Sequence, residues 1–180
     1  MSNRKIKLTI IIVPLIILFS YFFTALYSFH QFHKGIYYND KKLIKDYVEW
    51  DELRENFKNY INIQLLKETQ KSEELKDLGE LGVLFSSLAG KFVETMVDSY
   101  LNPEGLSMLL EKNQNKKEIP KPTFITLLGG FMIMDFNSLS SFYVTYENEG
   151  QKLPIFFTRK GLTWKITQIE FPENLLESIK

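Results

Sequence analysis

The chain has 180 residues, of which 44% are hydrophobic, and its 22 basic residues balance its 22 acidic residues. This length and composition fit one compact domain plus segments outside it. The lack of a net positive charge argues against a nucleic-acid partner, and the lack of cysteine excludes disulfides, thiol catalysis and cysteine-ligated zinc.

An apolar stretch without charged residues lies near the N-terminus, at residues 8–29. As a helix rising about 1.5 Å per residue it would span roughly 33 Å, enough to cross the hydrocarbon core of a bilayer. The run is longer than the core of a signal peptide, and no small-x-small cleavage site closes it. We therefore expect an uncleaved transmembrane anchor. The aromatic belt expected at its far end consists of Tyr21, Phe22, Phe23, Tyr27 and Phe29.

Basic residues precede this stretch, at Arg4, Lys5 and Lys7. Because positive charge beside a span stays on the cytoplasmic side, the sequence predicts a cytoplasmic N-terminus and a single-pass protein. The predicted organisation is a cytoplasmic tail at 1–7, a transmembrane anchor in the lipid bilayer at 8–29 and an extracytoplasmic domain at 30–180.

Helical spacing dominates the first part of this domain, at residues 36–113. Leu53, Phe57 and Ile61, for example, recur at intervals of four and form an amphipathic stripe. Polar residues stand where helix caps are expected, and a proline and an acid follow the last of them, as helix starts prefer. The predicted caps are Asp40, Asp51 and Asn102.

A polar loop with two prolines, at 113–123, separates this region from one with a different period. Through residues 124–171, aromatic and β-branched residues alternate with polar ones, which is typical of antiparallel strands. Gly129 and Gly130 are expected to bend the chain before the first strand. The predicted fold class is α+β: an N-terminal transmembrane helix, then a helical layer packed on a C-terminal antiparallel β-meander of three to four strands.

Two stretches, "ALYSFHQFHKGIYYNDKKLIKDYVEWDELRENF" and "MVDSYLNPEGLSMLL", resemble the bacterial family catalogued as domain of unknown function 2939. The resemblance covers roughly residues 21–110 and implies a membrane-anchored or exported protein, without naming an activity. Together with the basic N-terminus, this resemblance implies a location in the bacterial cytoplasmic (inner) membrane. Glu49 and Asp51 stand where the family usually has aspartate and proline. Structural or binding candidates among the matching residues are Tyr47, Trp50, Arg54, Asp98, Tyr100, Pro103, Glu104 and Gly105.

The acidic cluster between Glu49 and Glu55 has two interpretations. Paired carboxylates catalyse acid–base chemistry only where burial and neighbours separate their pKa values. Acids in the first turn of a helix are instead stabilised by the helix dipole. We interpret the cluster as a helix start and predict no catalytic residue. His30 and His33 share a helix face but lack further zinc ligands in the pattern, so no metal or other cofactor is predicted.

One pair of charges lies among apolar residues on two predicted helices. Arg54 shares a turn with Leu53 and Phe57, and Asp98 lies between Val97 and Tyr100. We hypothesise that Arg54 and Asp98 form a partly buried ion pair that joins the two helices; the alternative is that both face solvent.

The sequence favours a non-enzymatic binding or interaction module of the cell envelope, whose partner is an unidentified envelope protein or an apolar ligand. One alternative is an envelope hydrolase or transferase that uses carboxylates near Glu49–Glu55, which a polar cleft holding two of those acids would favour. Another is a carrier of a small apolar ligand, which a deep aromatic cavity between helices and sheet would favour.

Overall fold

Helices precede an antiparallel sheet in a computed structural model that describes residues 3–71, 80–112, 119–148 and 151–170. The helices in these ranges are α1 (Asn3–Tyr38), α2 (Lys41–Asp46), α3 (Trp50–Lys71), α4 (Glu80–Tyr100), α5 (Pro103–Lys112) and α6 (Phe124–Ile133). The strands are β1 (Met134–Phe136), β2 (Ser141–Asn148), β3 (Gln151–Lys160) and β4 (Thr163–Ile169).

The strands form a meander in the order β1-β2-β3-β4, and each pairs with its neighbours in antiparallel fashion. Gly161, with φ of 69°, makes the turn between β3 and β4, where a left-handed backbone favours glycine. The predicted α+β class, with an apolar N-terminal helix, further helices and a C-terminal antiparallel sheet, is confirmed.

The second half of α1 packs against the sheet and forms the core with it. Ala25 and Leu26 of α1 are buried in one cluster with Phe142, Phe157 and Trp164 of the strands. The Phe142 ring stacks on Phe157 at 4.7 Å between centroids, and it lies 5.4 Å from Trp164. Such ring pairs add to the stability gained from burying apolar area, so α1 is an integral element of the domain.

Two hydrogen bonds connect α1 with the start of β4. The backbone amide of Trp164 donates to Ser28 Oγ at 3.0 Å, and the indole Nε1–H donates to Thr24 Oγ1 at 3.1 Å. Ser28 and Trp164 are both buried. Buried polar groups need partners, so these bonds fix how α1 lies along the sheet.

The short segment between α2 and α3 covers the edge of β4. Val48 makes an isolated parallel bridge with Ile166, in which Glu49 N–H donates to the Ile166 carbonyl at 2.8 Å and Ile166 N–H donates to the Tyr47 carbonyl at 3.0 Å. An open strand edge exposes unpaired amides and carbonyls, and this segment pairs two of them. The bridge therefore positions α3 beside the sheet.

The predicted boundary between anchor and domain, at 29/30, differs from the observed packing. Tyr21 and Phe22, assigned to an aromatic belt, contact Trp164 and Phe136, and Phe29 contacts Phe157. The folded unit therefore begins at about Tyr21, within the predicted span. Composition could not reveal this, because a helix buried in protein and one buried in lipid need the same apolar residues.

The structure also corrects the predicted start of the strand region at residue 124, since residues 124–133 form α6. Thr123 caps this helix through a capping box with Thr126. Gly130 lies inside the helix rather than at a bend, and a Cβ there would be 3.1 Å from the Phe29 ring, so glycine allows α6 to approach α1. A continuous apolar run does not distinguish helix from strand by its periodicity.

Parts of the predicted segments lie outside the described residues. These are residues 1–2 of the predicted tail, 72–79 and 113 of the predicted helical region, 113–118 of the predicted loop, and 149–150 and 171 of the predicted strand region. Described residues 119–123 contain neither helix nor strand, as the predicted loop requires.

The bonds between α1 and β4 give a stability prediction for the substitution Ser28→Ala. It removes the acceptor of the buried Trp164 amide and should lower the free energy of unfolding by about 1–3 kcal/mol. Urea unfolding of the full chain in detergent, followed by tryptophan fluorescence, measures the loss. The matched control is Ser20→Ala, because the exposed Ser20 hydroxyl donates to the Ile16 carbonyl of its own helix. Equal stabilities of the two variants would contradict the prediction.

Candidate functional site

A polar groove of about 430 Å³ runs between α3 and α4. Every residue that lines it carries a charge or a side-chain amide, so the groove is suited to polar rather than apolar ligands. Its lining residues are Asp51, Arg54, Glu55, Lys58, Asn59, Asn62, Glu94 and Asp98.

The helical period of α3 brings its polar residues to the groove. Arg54, Lys58 and Asn62 recur at intervals of four residues and so share one face of the helix. Leu53 and Ile61 lie on another face and are buried. The packing of α3 therefore turns its charged face toward α4.

Asp98 of α4 joins the two helices by ion pairing. Lys58 Nζ lies 2.7 Å from Asp98 Oδ1 and donates to Oδ2 at 2.8 Å, whereas Arg54 Nε lies 3.8 Å from Oδ1. The hypothesised partners Arg54 and Asp98 thus lie on the same side of the helices, and Lys58 is the closer partner of the carboxylate. The side chain of Asp98 is 55% exposed, so water screens these pairs and each contributes about 0–1 kcal/mol.

Arg54 has further partners at the entrance of the groove. Its Nη1 donates to the Leu101 carbonyl at 3.3 Å, and its Nη2 donates to the Asp51 carboxylate. Its side chain is 23% exposed. Arg54 therefore connects the first turn of α3 with the chain that leaves α4.

The acidic cluster divides between two sides of the molecule. Asp51 and Glu55 line the groove. Glu49 pairs with Lys165 at 3.1 Å and Glu52 pairs with Lys160 at 2.6 Å, so these two acids face the sheet. The helix begins at Trp50, which places Asp51 inside the first turn rather than at the predicted cap position.

The other two predicted caps accept backbone hydrogen bonds. The Asp40 carboxylate accepts from the amides of Lys42 and Leu43 at 3.0 and 3.2 Å, at the start of α2. Asn102 Oδ1 accepts from the Gly105 amide at 2.8 Å, at the start of α5. Each bond satisfies an amide that the first turn of a helix leaves unpaired.

The α4–α5 turn contains four of the candidates and lies apart from the groove lining. A Cβ at Gly105 would be 2.1 Å from the Tyr100 carbonyl oxygen, so the turn needs glycine there. Pro103 and Glu104 occupy the first turn of α5, and Tyr100 is exposed at the end of α4. These residues shape the turn that follows Asp98.

Tyr47 and Trp50 lie on the sheet side of the α2–α3 junction. Trp50 packs against the core cluster. Burial raises the pKa of the Tyr47 hydroxyl, and nearby Tyr27 and Asp46 raise it further, so this hydroxyl stays neutral at physiological pH. Of the predicted candidates, the groove therefore brings together Asp51, Arg54 and Asp98.

Sequence reasoning missed two polar contacts between helices. Lys58 lies one helical turn after Arg54, and that spacing could have identified it as a second partner for Asp98. Asn39 has φ of 54°, and its Oδ1 accepts from the buried Ser107 hydroxyl of α5 at 2.8 Å. Nothing in the local pattern relates two residues so distant in the chain.

Two glycine substitutions, one beside the turn after α4 and one in α6 as a comparison, test whether this turn requires glycine. Gly105→Ala forces the backbone apart at Tyr100 and should destabilise the protein by about 1–3 kcal/mol, as overpacking does. Gly129→Ala in α6 meets no atom of the described residues within 4 Å and should stabilise the protein by about 0.5–1 kcal/mol through helix propensity. Urea unfolding measures both, and a neutral Gly105→Ala would show that the turn does not require glycine.

Comparison with known proteins identifies a family and little else. A family model described as "Protein of unknown function (DUF2939)" matches residues 15–109, which is more than half of the chain and confirms the resemblance in its sequence. No curated protein and no solved structure matches the chain. The matched region includes every residue that lines the groove and stops before α6 and the sheet. The chain therefore belongs to the DUF2939 family.

Proposed function

We propose that the protein is a single-pass, non-enzymatic binding module of the bacterial cell envelope, with its N-terminus in the cytoplasm. Helix α1 anchors it in the inner membrane, and the extracytoplasmic groove between α3 and α4 binds a polar partner. The groove is the main observation in support of this proposal, because two helices contribute side chains to one continuous polar surface.

The exposure pattern of α1 supports membrane anchoring. The helix is long and apolar enough to cross a membrane, and its large side chains from Ile10 to Phe19 are exposed. From Tyr21 onward it packs into the domain. Cleavage at the end of the apolar run would remove the buried residues Ala25, Leu26 and Ser28 from the core, so the packing favours an uncleaved anchor over a signal peptide.

The charge of the groove indicates what kind of partner it prefers. Its lining contains the carboxylates of Asp51, Glu55, Glu94 and Asp98 but only the cations of Arg54 and Lys58. The excess of carboxylates favours a partner with basic groups, such as a lysine- or arginine-containing segment of an envelope protein.

An envelope hydrolase or transferase is the second candidate, and one observation favours it: the groove contains both Asp51 and Glu55. Against it, Asp51 pairs with Arg54, Asp98 pairs with Lys58, and these carboxylates are exposed. Catalytic carboxylates are instead usually tuned by burial. An apolar-ligand carrier is less well supported, because the aromatic rings of Phe142, Phe157 and Trp164 fill the space between α1 and the sheet.

The binding proposal predicts a charge-dependent crosslink in intact cells. A photoreactive residue at Asn62 should form a discrete adduct with the partner. Reversing a groove charge with Glu94→Lys should weaken that adduct several-fold, because it repels a basic partner. The matched reversal Glu147→Lys lies on the exposed face of β2 and should have no effect.

A second probe position controls for random collisions. The same photoreactive residue at Lys152, exposed on β3, should give no discrete adduct. Equal adducts at Asn62 and Lys152, or an Asn62 adduct insensitive to Glu94→Lys, would contradict binding at the groove.

A further inference from the structure

Helix α6 presents an apolar surface that the described part of the domain leaves uncovered. Its sequence, "FITLLGGFMI", contains no charged residue. Met132 is 88% exposed, although large apolar residues of a folded domain are usually covered. The other exposed apolar residues of this helix are Phe124, Ile125, Leu128, Phe131 and Ile133.

The helix runs antiparallel to α1 and leads toward its exposed apolar half. A Cβ at Gly130 would lie 3.1 Å from Phe29 and 3.2 Å from Leu26, whereas Phe136, just after α6, contacts Phe22 at 5.1 Å. The C-terminal end of α6 is therefore the end nearest to the span of α1.

Two turns of the sheet expose leucines at the same end. The amide of Arg159 donates to the Ser140 carbonyl at 2.8 Å, which holds the β1–β2 and β3–β4 connections side by side. Leu139 and Leu162 in these connections are 86% and 79% exposed. The Arg159 guanidinium lies 5.0 Å from the centre of the Tyr21 ring, so this end of the sheet lies where the domain first covers α1.

The uncovered part of α1 is shorter than the hydrocarbon core of a bilayer. The uncharged residues from Leu8 to Ser20 rise about 20 Å as a helix, but the hydrocarbon core is about 30 Å thick. A span that starts after Lys7 would therefore extend to about residue 27, two turns beyond the point where the domain begins. The bilayer must therefore become thinner there, or its lipids must cover the end of the domain that lies beside the span.

We propose that this end of the domain is a second membrane contact, in the interfacial layer of the outer leaflet. The C-terminal end of α6 and the two leucine turns contact acyl chains there. The exposed Arg159, which lies just before the β3–β4 turn, reaches lipid phosphates. This inference rests on the proposed anchoring by α1, and bilayer lipid is its occupant because the uncovered surface continues the exposed surface of the span.

Cysteine labelling tests this contact directly, because the chain contains no native cysteine. The single substitutions Phe19→Cys, Met132→Cys, Leu162→Cys and Met108→Cys replace exposed side chains and should leave the fold unchanged, which circular dichroism verifies. Met108 is the water-facing control, since Ser107 beside it bonds Asn39 at the far end of α1. Each full-length variant carries an environment-sensitive fluorophore in vesicles of phosphatidylethanolamine and phosphatidylglycerol, with or without nitroxide-labelled lipid.

We expect nitroxide lipid to quench the probes at Phe19, Met132 and Leu162 several-fold more strongly than the probe at Met108. If the Phe19 probe is quenched but the Met132 and Leu162 probes are quenched no more than the Met108 probe, the second membrane contact is overturned. The proposed anchoring by α1 would then still stand. Failure of quenching at Phe19 would instead refute the anchoring on which the inference rests. Self-quenching between Met132 probes, without quenching by lipid, would show that a second copy covers this surface and would also overturn the inference.

Discussion

The structure depends on one continuous helix, α1, whose two halves lie in different environments. The first half of α1 exposes apolar side chains, whereas its second half is the element on which the sheet packs. Trp164 fixes this arrangement, because its amide and indole donate to Ser28 and Thr24 while its ring contacts Tyr21. Because both halves belong to one helix, the position of α1 in a membrane would also influence the height and orientation of the domain above it.

The remaining elements attach to this unit in sequence. The Val48 bridge pairs with β4 and sets the start of α3. Glu49, just before this helix, and Glu52, within its first turn, bind lysines of the sheet. The charged side chains on the other face of α3, Lys58 among them, therefore face Asp98 of α4. The proposed binding groove therefore has one wall held by the sheet and another that Asp98 joins to the first through screened ion pairs.

Features set by residues close together in the chain could be predicted from the sequence, whereas features set by tertiary contacts could not. Caps such as Asp40 and Asn102 act within a few residues, so their positions follow from the sequence pattern. The alternation of Phe142 and Val144 likewise predicts a strand with one buried face. By contrast, the apolar runs at 21–29 and 124–133 fit strand, core helix or lipid-facing helix equally well, and only tertiary packing decides among them. Asn39 and Ser107 bond each other through a contact distant in the chain, which one sequence does not reveal.

We infer that α1 remains a single helix shared by the membrane anchor and the folded core. Intact mass spectrometry of the protein purified from bacterial membranes tests this inference. We expect the chain to keep its N-terminal apolar segment, because residues from Tyr21 onward contribute to the folded core. A mature protein that begins near residue 30, recovered in soluble and folded form, would contradict it.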